Sequence, residues 1–249
     1  MPSDTNATDL GDIDPAIQKV EFKLTVFPRE EGKVQALLRK ERAQPLRRKV
    51  YFYDTKHLAL YGKDLVLRAR VTQGDDDDST VKLRPVDLAD DDASWRRIDG
   101  IRIELDVVGE NQVPSAKLDG EPDRGEIEEV EAERRQVGSL FSGRQERLIA
   151  DYSPDGISLH ELDVLGPVDA RKWDLDNPEG FPHALSVEEW SLPDASRFIE
   201  LSFKVSADEA NDAQAAFRKL LAGLEIGVAG DPTPKTPRVL EFFADRLDD

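Results

Sequence analysis

Five segments of the sequence, in which apolar residues alternate with charged or polar ones, most constrain its fold. They are residues 19–26, 65–71, 79–85, 101–107 and 197–205. Because successive side chains of a β-strand point to opposite faces, this period of two predicts strands with one apolar and one charged face. In LVLRARV, residues 65–71, Arg68 and Arg70 share one face. Such strands must form a sheet or barrel that keeps the two kinds of face apart.

The charged faces concentrate bases, although the chain as a whole is acidic. The formal net charge is −18, from 34 Lys and Arg against 52 Asp and Glu. An acidic surface repels polyanions at long range, which argues against a nucleic acid polymer or an anionic membrane as partner. The bases on the charged faces are Lys19, Lys23, Arg68, Arg70, Lys82, Arg84, Arg102 and Lys204, and the carboxylates between them are Glu21, Glu104, Asp106 and Glu200.

Three arrangements of these faces are open. The charged face of a single strand is ordinarily covered by solvent, which would leave an unremarkable α+β domain. In a closed barrel, either the apolar faces fill the interior, or the charged faces line a hydrated tunnel and helices cover the apolar exterior. We favour the tunnel, because clustered Arg and Lys repel one another and a polyanion would compensate them. The interleaved carboxylates would then be hard oxygen ligands for Mg²⁺ or Mn²⁺.

The remaining pattern predicts a single α+β domain over residues 18–247, preceded by a disordered acidic arm over residues 1–17. Amphipathic helices are predicted at 29–42, 207–226 and 238–247. Residues 110–124 resemble a loop, and residues 147–166 resemble a hairpin that turns at Pro-Asp-Gly. Residues 166–195 show no clear pattern and are interpreted as an insertion.

Composition narrows the compartment and the chemistry. The chain has no cysteine, which excludes disulfides, thiolate nucleophiles and cysteine-based zinc sites. The polar, acidic N-terminus has neither the basic nor the apolar region of a signal peptide, and no apolar run approaches the length of a membrane span. We therefore expect a cytoplasmic protein that is a monomer or a homodimer and has no membrane partner.

Several segments, in order, resemble the CYTH superfamily, the triphosphate tunnel metalloenzymes. They are VEFKLTV, YFYDT, LVLRARV, TVKLRP, IRIELDV and IELSFKV, and the resemblance covers residues 19 to 240. The most specific part is YFYDT followed by LYGKDLVLRARV. The resemblance implies an eight-stranded antiparallel β-barrel tunnel with amphipathic helices packed outside. It also implies a small-molecule partner with a triphosphate or polyphosphate group, which is hydrolysed or, for ATP, cyclised with Mg²⁺ or Mn²⁺.

The resemblance also implies roles for individual residues. The substrate-binding residues would be Lys23, Arg68, Arg70, Lys82, Arg84, Arg102, Lys204 and Lys235. The metal ligands would be Glu21, Glu104, Asp106 and Glu200, and the catalytic residues would be Glu21, Glu104 and Lys23.

Two departures from the family pattern bear on activity. The opening ExExK motif of the family has Lys19 in place of its first glutamate, and the last strand has Ser202 in place of the second glutamate of ExE. A cation beside the metal site would compete with a bound metal ion. Hydrolysis of a triphosphate is still the main prediction, because the resemblance implies it. The alternatives are a class IV-type adenylate cyclase and a polyphosphate- or nucleotide-binding protein with weakened catalysis.

Overall fold

The structure, a computed structural model, describes residues 10–227 and 235–247 of the chain. Within these ranges the strands are Lys19–Val26 (β1), Leu46–Asp54 (β2), Leu65–Thr72 (β3), Asp78–Leu83 (β4), Arg102–Val108 (β5), Asn111–Gly120 (β6), Asp163–Leu175 (β7), Leu185–Ser191 (β8) and Arg197–Val205 (β9). The α-helices are Glu31–Glu41 (α1), Glu126–Glu131 (α2), Gly143–Tyr152 (α3), Ala210–Gly223 (α4) and Lys235–Ala244 (α5). None of these helices is both long and apolar enough to cross a lipid bilayer.

The strands close into one barrel, in the order β1-β5-β6-β4-β3-β2-β7-β8-β9 and back to β1. The pairing of β1 with β5 is parallel, and the other pairings are antiparallel. The α+β class and the closed barrel are thus confirmed, whereas eight antiparallel strands are corrected to nine strands in a mixed sheet. Part of the difference comes from residues 111–120, which were interpreted as a loop. They form β6, which pairs with both β4 and β5.

The apolar face of the strands points outward and is covered by helices. Phe22 of β1 and Phe203 of β9 stack with ring centroids 4.8 Å apart, and Phe217 of α4 packs on Phe203 at 4.9 Å. Val34 of α1 and Leu148 of α3 belong to the same continuous core. Because burial of apolar surface dominates folding energetics, this outer layer is what stabilises the barrel.

The last helix does not share this position. Val239 and Leu240 of α5 pack with Phe52, Trp190 and Phe198 in a second apolar cluster. These strand residues lie on the inward faces, because they pair in register with residues that face the tunnel: Phe52 lies opposite Arg68, for example. Part of the barrel interior is therefore apolar core that α5 completes, which corrects the expectation that all helices pack outside.

Two further boundaries differ from the sequence interpretation. Most of residues 166–195 belong to β7 and β8, which supply two barrel strands instead of an insertion. Residues 1–9 of the predicted arm lie outside the described residues, but Leu10 and Ile17 are buried, and the Leu10 amide donates to Asn211 Oδ1 of α4 at 3.1 Å. The arm prediction therefore does not hold for residues 10–17.

Phe203 tests the role of the outer layer. Because Phe203 contacts both Phe22 and Phe217, we expect Phe203→Ala to lower the free energy of unfolding by about 3–5 kcal/mol in urea denaturation. Phe203→Leu, the matched control, keeps most of the buried volume and should lose less than half as much. A loss under about 1 kcal/mol for the alanine variant would contradict this account.

Candidate functional site

Alternation along the strands directs a dense set of charges into the barrel. The inward bases are Lys23, Arg48, Arg68, Arg70, Lys82, Lys117 and Lys204, with Arg84 and Lys235 beside them, and the inward acids are Glu21, Asp78, Glu104, Asp106, Asp119, Glu188 and Glu200. Cross-strand register brings these side chains together from different parts of the sequence. The charged faces therefore line an interior, as the tunnel arrangement predicts.

Three of the predicted metal ligands form one cluster. Glu21, Glu104 and Asp106 each offer a carboxylate oxygen within 4.8 Å of the other two. The parallel pairing of β1 with β5 produces this cluster, because it places Glu21 opposite Asp106 and Lys19 opposite Glu104. Hard oxygen donors at this spacing fit Mg²⁺ or Mn²⁺, so the cluster could hold a divalent ion.

Ammonium groups already neutralise these carboxylates. Lys23 Nζ lies 2.9 Å from Glu21 and 2.8 Å from Asp106, and Lys82 Nζ lies 2.6 Å from Asp106. Lys204 Nζ lies 2.9 Å from both carboxylate oxygens of Glu104 and 3.5 Å from Glu21. Each carboxylate therefore has at least one cationic partner in the barrel interior.

The same contacts determine the protonation states of Glu21 and Asp106. Burial alone would raise the pKa of Glu21, but Lys23 and Lys204 outweigh it and lower this pKa to about 2. Burial opposes ionisation of Asp106 as well, yet Lys23, Lys82 and Arg84 hold its pKa far below the usual range. These two carboxylates are therefore ionised at neutral pH.

In a second part of the interior, around Arg68, the cations have too few carboxylate partners. Arg68 is partly buried, its Nε atom is fully buried without a hydrogen-bond partner among the described residues, and its one hydrogen bond among the described contacts is to Thr80 Oγ1 at 3.2 Å. Burial and the neighbouring Arg70 lower the pKa of Arg68 to about 10. Burial and Arg68 likewise lower the pKa of Lys117 to about 7. An anion placed among these cations would supply the missing charge and hydrogen-bond acceptors.

A further ion-pair group lies where α5 meets the tunnel. Lys235 Nζ contacts Glu188 at 2.5 Å and Glu200 at 2.7 Å, and it lies 4.8 Å from the ring centroid of Trp190. Arg48 lies 3.4 Å from Glu188. Burial would raise the pKa of Glu188, but Lys235 and the neighbouring arginines hold it well below its usual range.

Several predicted residues are placed differently from the sequence interpretation. Glu200 pairs with Lys235 and does not join the three-carboxylate cluster. Arg102 lies at the end of β5, is half exposed and forms an ion pair with Asp119. Lys19 is exposed at the start of β1, and the lysines that contact the three-carboxylate cluster are Lys23, Lys82 and Lys204.

Sequence reasoning missed Arg48, Lys117 and Glu188. Arg48 precedes Val50 and Phe52 at a spacing of two, which is the signal that could have placed it on the inward face of β2. Lys117 lies in the segment that was interpreted as a loop, and Glu188 lies in the presumed insertion. Both residues can be assigned to the inward face only once β6 and β8, the strands that contain them, are known.

Lys117 gives a pH-dependent stability prediction. Its pKa is about 7 in the folded protein and 10.5 without the protein environment. Below pH 7 both states carry the ammonium and burial penalises the folded state, whereas between pH 7 and 10.5 the folded state loses its proton first and the penalty falls. We expect Lys117→Met to raise the free energy of unfolding by about 1–3 kcal/mol at pH 6, and by less at pH 10.

Chemical denaturation at the two pH values provides the measurement. Asp119, the ion-pair partner of Lys117, keeps Arg102 as a partner in the variant. Lys63→Met, at an exposed position, is the control and should change little at either pH. A Lys117→Met variant that is less stable than the unmodified protein at pH 6 would show that the ammonium is not penalised.

Solved structures share the fold of this chain. A candidate adenylyl cyclase from Hippeastrum, described as having a dominant triphosphatase activity, is 17% identical with a TM-score of 0.64, over 91% of this chain and 96% of that chain. A candidate adenylate cyclase from Bacillus halodurans is 13% identical with a TM-score of 0.61, over 89% and 96%. Models of protein families and curated proteins yield no match to the sequence. The chain therefore shares the fold of these two proteins, and its closed barrel agrees with the barrel that the resemblance in its sequence predicted.

Proposed function

We propose that the tunnel binds the triphosphate group of a small molecule, either inorganic tripolyphosphate or an organic or nucleoside triphosphate. The observation that carries this proposal is the guanidinium of Arg68, whose Nε atom is buried without a hydrogen-bond partner among the described residues. It has Arg70 and Lys117 as cationic neighbours and no carboxylate within ion-pair distance among the described contacts. Burying a cation without such a partner is costly, and a phosphate oxygen is the acceptor that a guanidinium matches best.

The spread of the bases favours a chain of phosphates over a single one. Arg68 and Arg70 lie on β3, Lys82 on β4, Lys117 on β6 and Lys23 on β1, so the positive charges surround the interior from several strands. One phosphate would reach few of them. A linear triphosphate presents several anionic groups in a row and could engage most of the set at once.

Hydrolysis of the triphosphate is the reaction we propose, and the three-carboxylate cluster favours it. Glu21, Glu104 and Asp106 would hold a divalent ion, which would supply charge stabilisation at the phosphoryl group and lower the pKa of a bound water. Lys82 and Lys117 would bind phosphate oxygens and neutralise the charge that develops as water attacks phosphorus and the phosphoanhydride bond breaks. The substitutions that leave Lys19 and Ser202 in the family motifs favour binding with weakened catalysis as the alternative.

Binding is tested by calorimetry with tripolyphosphate. We expect the protein to bind it, and Arg68→Met to weaken the affinity about 10- to 100-fold, because a buried guanidinium contributes charge-assisted hydrogen bonds. Arg39→Met, which removes an exposed arginine of α1 on the outside of the barrel, is the matched control and should leave the affinity unchanged. Equal affinities for Arg68→Met and the unmodified protein would rule out the proposed binding position.

Hydrolysis is tested by phosphate release from tripolyphosphate, thiamine triphosphate and ATP with Mg²⁺ or Mn²⁺. We expect release from at least one substrate, and a loss of about 100-fold for Glu104→Gln, which removes a buried carboxylate of the cluster. Glu110→Gln, at an exposed position in the turn after β5, is the matched control. Cyclic AMP as the product from ATP would replace hydrolysis by cyclisation, and no turnover of any substrate would leave binding as the function.

A further inference from the structure

We propose that Lys204 is a built-in cation of the three-carboxylate cluster, so that the tunnel binds polyphosphate without a divalent ion and a divalent ion binds only by displacing Lys204. The half of this proposal that concerns polyphosphate rests on the proposed function. The half that concerns the metal ion rests on the cluster alone. In this proposal Lys204, and not Lys19, is the residue that competes with a metal ion.

The contacts of Lys204 place its ammonium group where a divalent ion would have to bind. Its Nζ atom lies 2.9 Å from both carboxylate oxygens of Glu104 and 3.5 Å from Glu21. These are two of the three carboxylates that could hold a metal ion. An ammonium that contacts both oxygens of a carboxylate occupies the position from which a divalent ion would bind both of them.

The backbone of the barrel holds Lys204 in this position. In the antiparallel pairing of β1 with β9, Lys204 lies directly opposite Glu21, and in the parallel pairing of β1 with β5, Glu21 lies opposite Asp106. Three adjacent strands therefore carry the cation and its carboxylates in register. The pairing of the three strands thus places the ammonium group of Lys204 beside these carboxylates.

The basic groups in contact with the cluster already outnumber its carboxylates, four to three. Three lysines supply one ammonium for each carboxylate of the cluster: Lys23, Lys82 and Lys204. In addition, the Nε atom of Arg84 lies 3.2 Å from Asp106. Adding a divalent ion to this set would give a strong excess of positive charge in a buried space. Moving the ammonium group of Lys204 away would lower that excess, and it would also free the carboxylate of Glu104 to bind the metal ion.

Lys204 is the member of the cluster with room to move. Its side chain is 38% exposed, against 15% for Lys23 and 18% for Lys82. It can therefore turn towards a bound phosphate group or yield its position to a metal ion without disturbing the other two lysines.

The same arrangement recurs elsewhere in the charged interior. Lys235 Nζ lies between Glu188 and Glu200, at 2.5 Å and 2.7 Å, and these glutamates are directly paired neighbours on β8 and β9. Two carboxylates that could share a cation are again bridged by a lysine of the chain itself. The recurrence supports a tunnel whose positive charge is supplied by side chains.

The first experiment measures Mn²⁺ binding without polyphosphate, from the decrease in the electron paramagnetic resonance signal of free Mn²⁺. We expect weak binding by the unmodified protein and an affinity about tenfold or more higher for Lys204→Met, which keeps the length of the side chain and removes its charge. Lys117→Met is the matched control, because it removes a tunnel ammonium whose ion-pair partner is Asp119, outside the cluster. Its gain in Mn²⁺ affinity should be clearly smaller.

The second experiment measures tripolyphosphate binding by calorimetry in excess EDTA. We expect the unmodified protein to bind without metal, and Lys204→Met to bind about tenfold more weakly in EDTA. Circular dichroism checks the fold of the variant, and Lys204→Gln serves as a second variant if Lys204→Met does not fold.

The outcomes separate this inference from the proposed function. Equal Mn²⁺ affinities for the unmodified protein and Lys204→Met, or a tripolyphosphate affinity that appears only when divalent metal is present, would overturn the role of Lys204. Lack of tripolyphosphate binding under both conditions would overturn the proposed function, and the Mn²⁺ comparison would still decide whether Lys204 occupies the cluster. A purely structural ion pair would lower the stability of Lys204→Met and leave its Mn²⁺ affinity unchanged.

Discussion

The ion pairs around Asp106 are the interaction on which the interior depends. This carboxylate is fully buried, and it is bonded by Lys23 and Lys82 and approached by Arg84. Each of these charges alone would oppose burial, and removing one partner from such a group destabilises a protein strongly. Asp106 lies on β5, and its partners come from β1, from β4 and from the residue after β4, so the contacts that compensate the buried charges also align these strands.

Stability and binding are assigned to opposite faces of the same strands. Phe22 and Phe203 point outward into a continuous apolar layer with α4, while Lys23 and Lys204 on the same two strands point inward. The outer layer supplies the free energy that allows the inner face to carry incompletely paired charges such as Arg68. A binding site built in this way costs stability in the absence of its ligand, and that cost is returned when an anion binds.

Much of the fold was predictable from the period-two segments, because the face on which each side chain lies depends only on local alternation. Residues 111–120 did not reveal a strand, since Pro114 and Gly120 interrupt the pattern, and pairing with β4 and β5 makes the strand in spite of them. Residues 147–152 were interpreted as part of a hairpin, but they form the C-terminal part of α3, which begins after the capping box of Ser142 and Gln145. Alternation predicted that Lys23, Arg68, Arg70, Lys82 and Lys204 share a face with the carboxylates of Glu21, Glu104 and Asp106, but Arg48 and Lys117 were missed. The partner of Glu200 and the position of Lys204 depend on distances between strands that are remote in sequence.

The packing of α5 has a consequence for the electrostatics of the interior. Val239 and Leu240 fill the space beside Phe52 and Trp190, so hydrocarbon borders the charged part of the barrel where water would otherwise enter. Electric fields extend farther next to such a low-dielectric wall, and dissolved ions cannot approach closely enough to weaken them. The attraction between Arg68 and a guest anion would therefore persist at ionic strengths that cancel ion pairs on the protein surface.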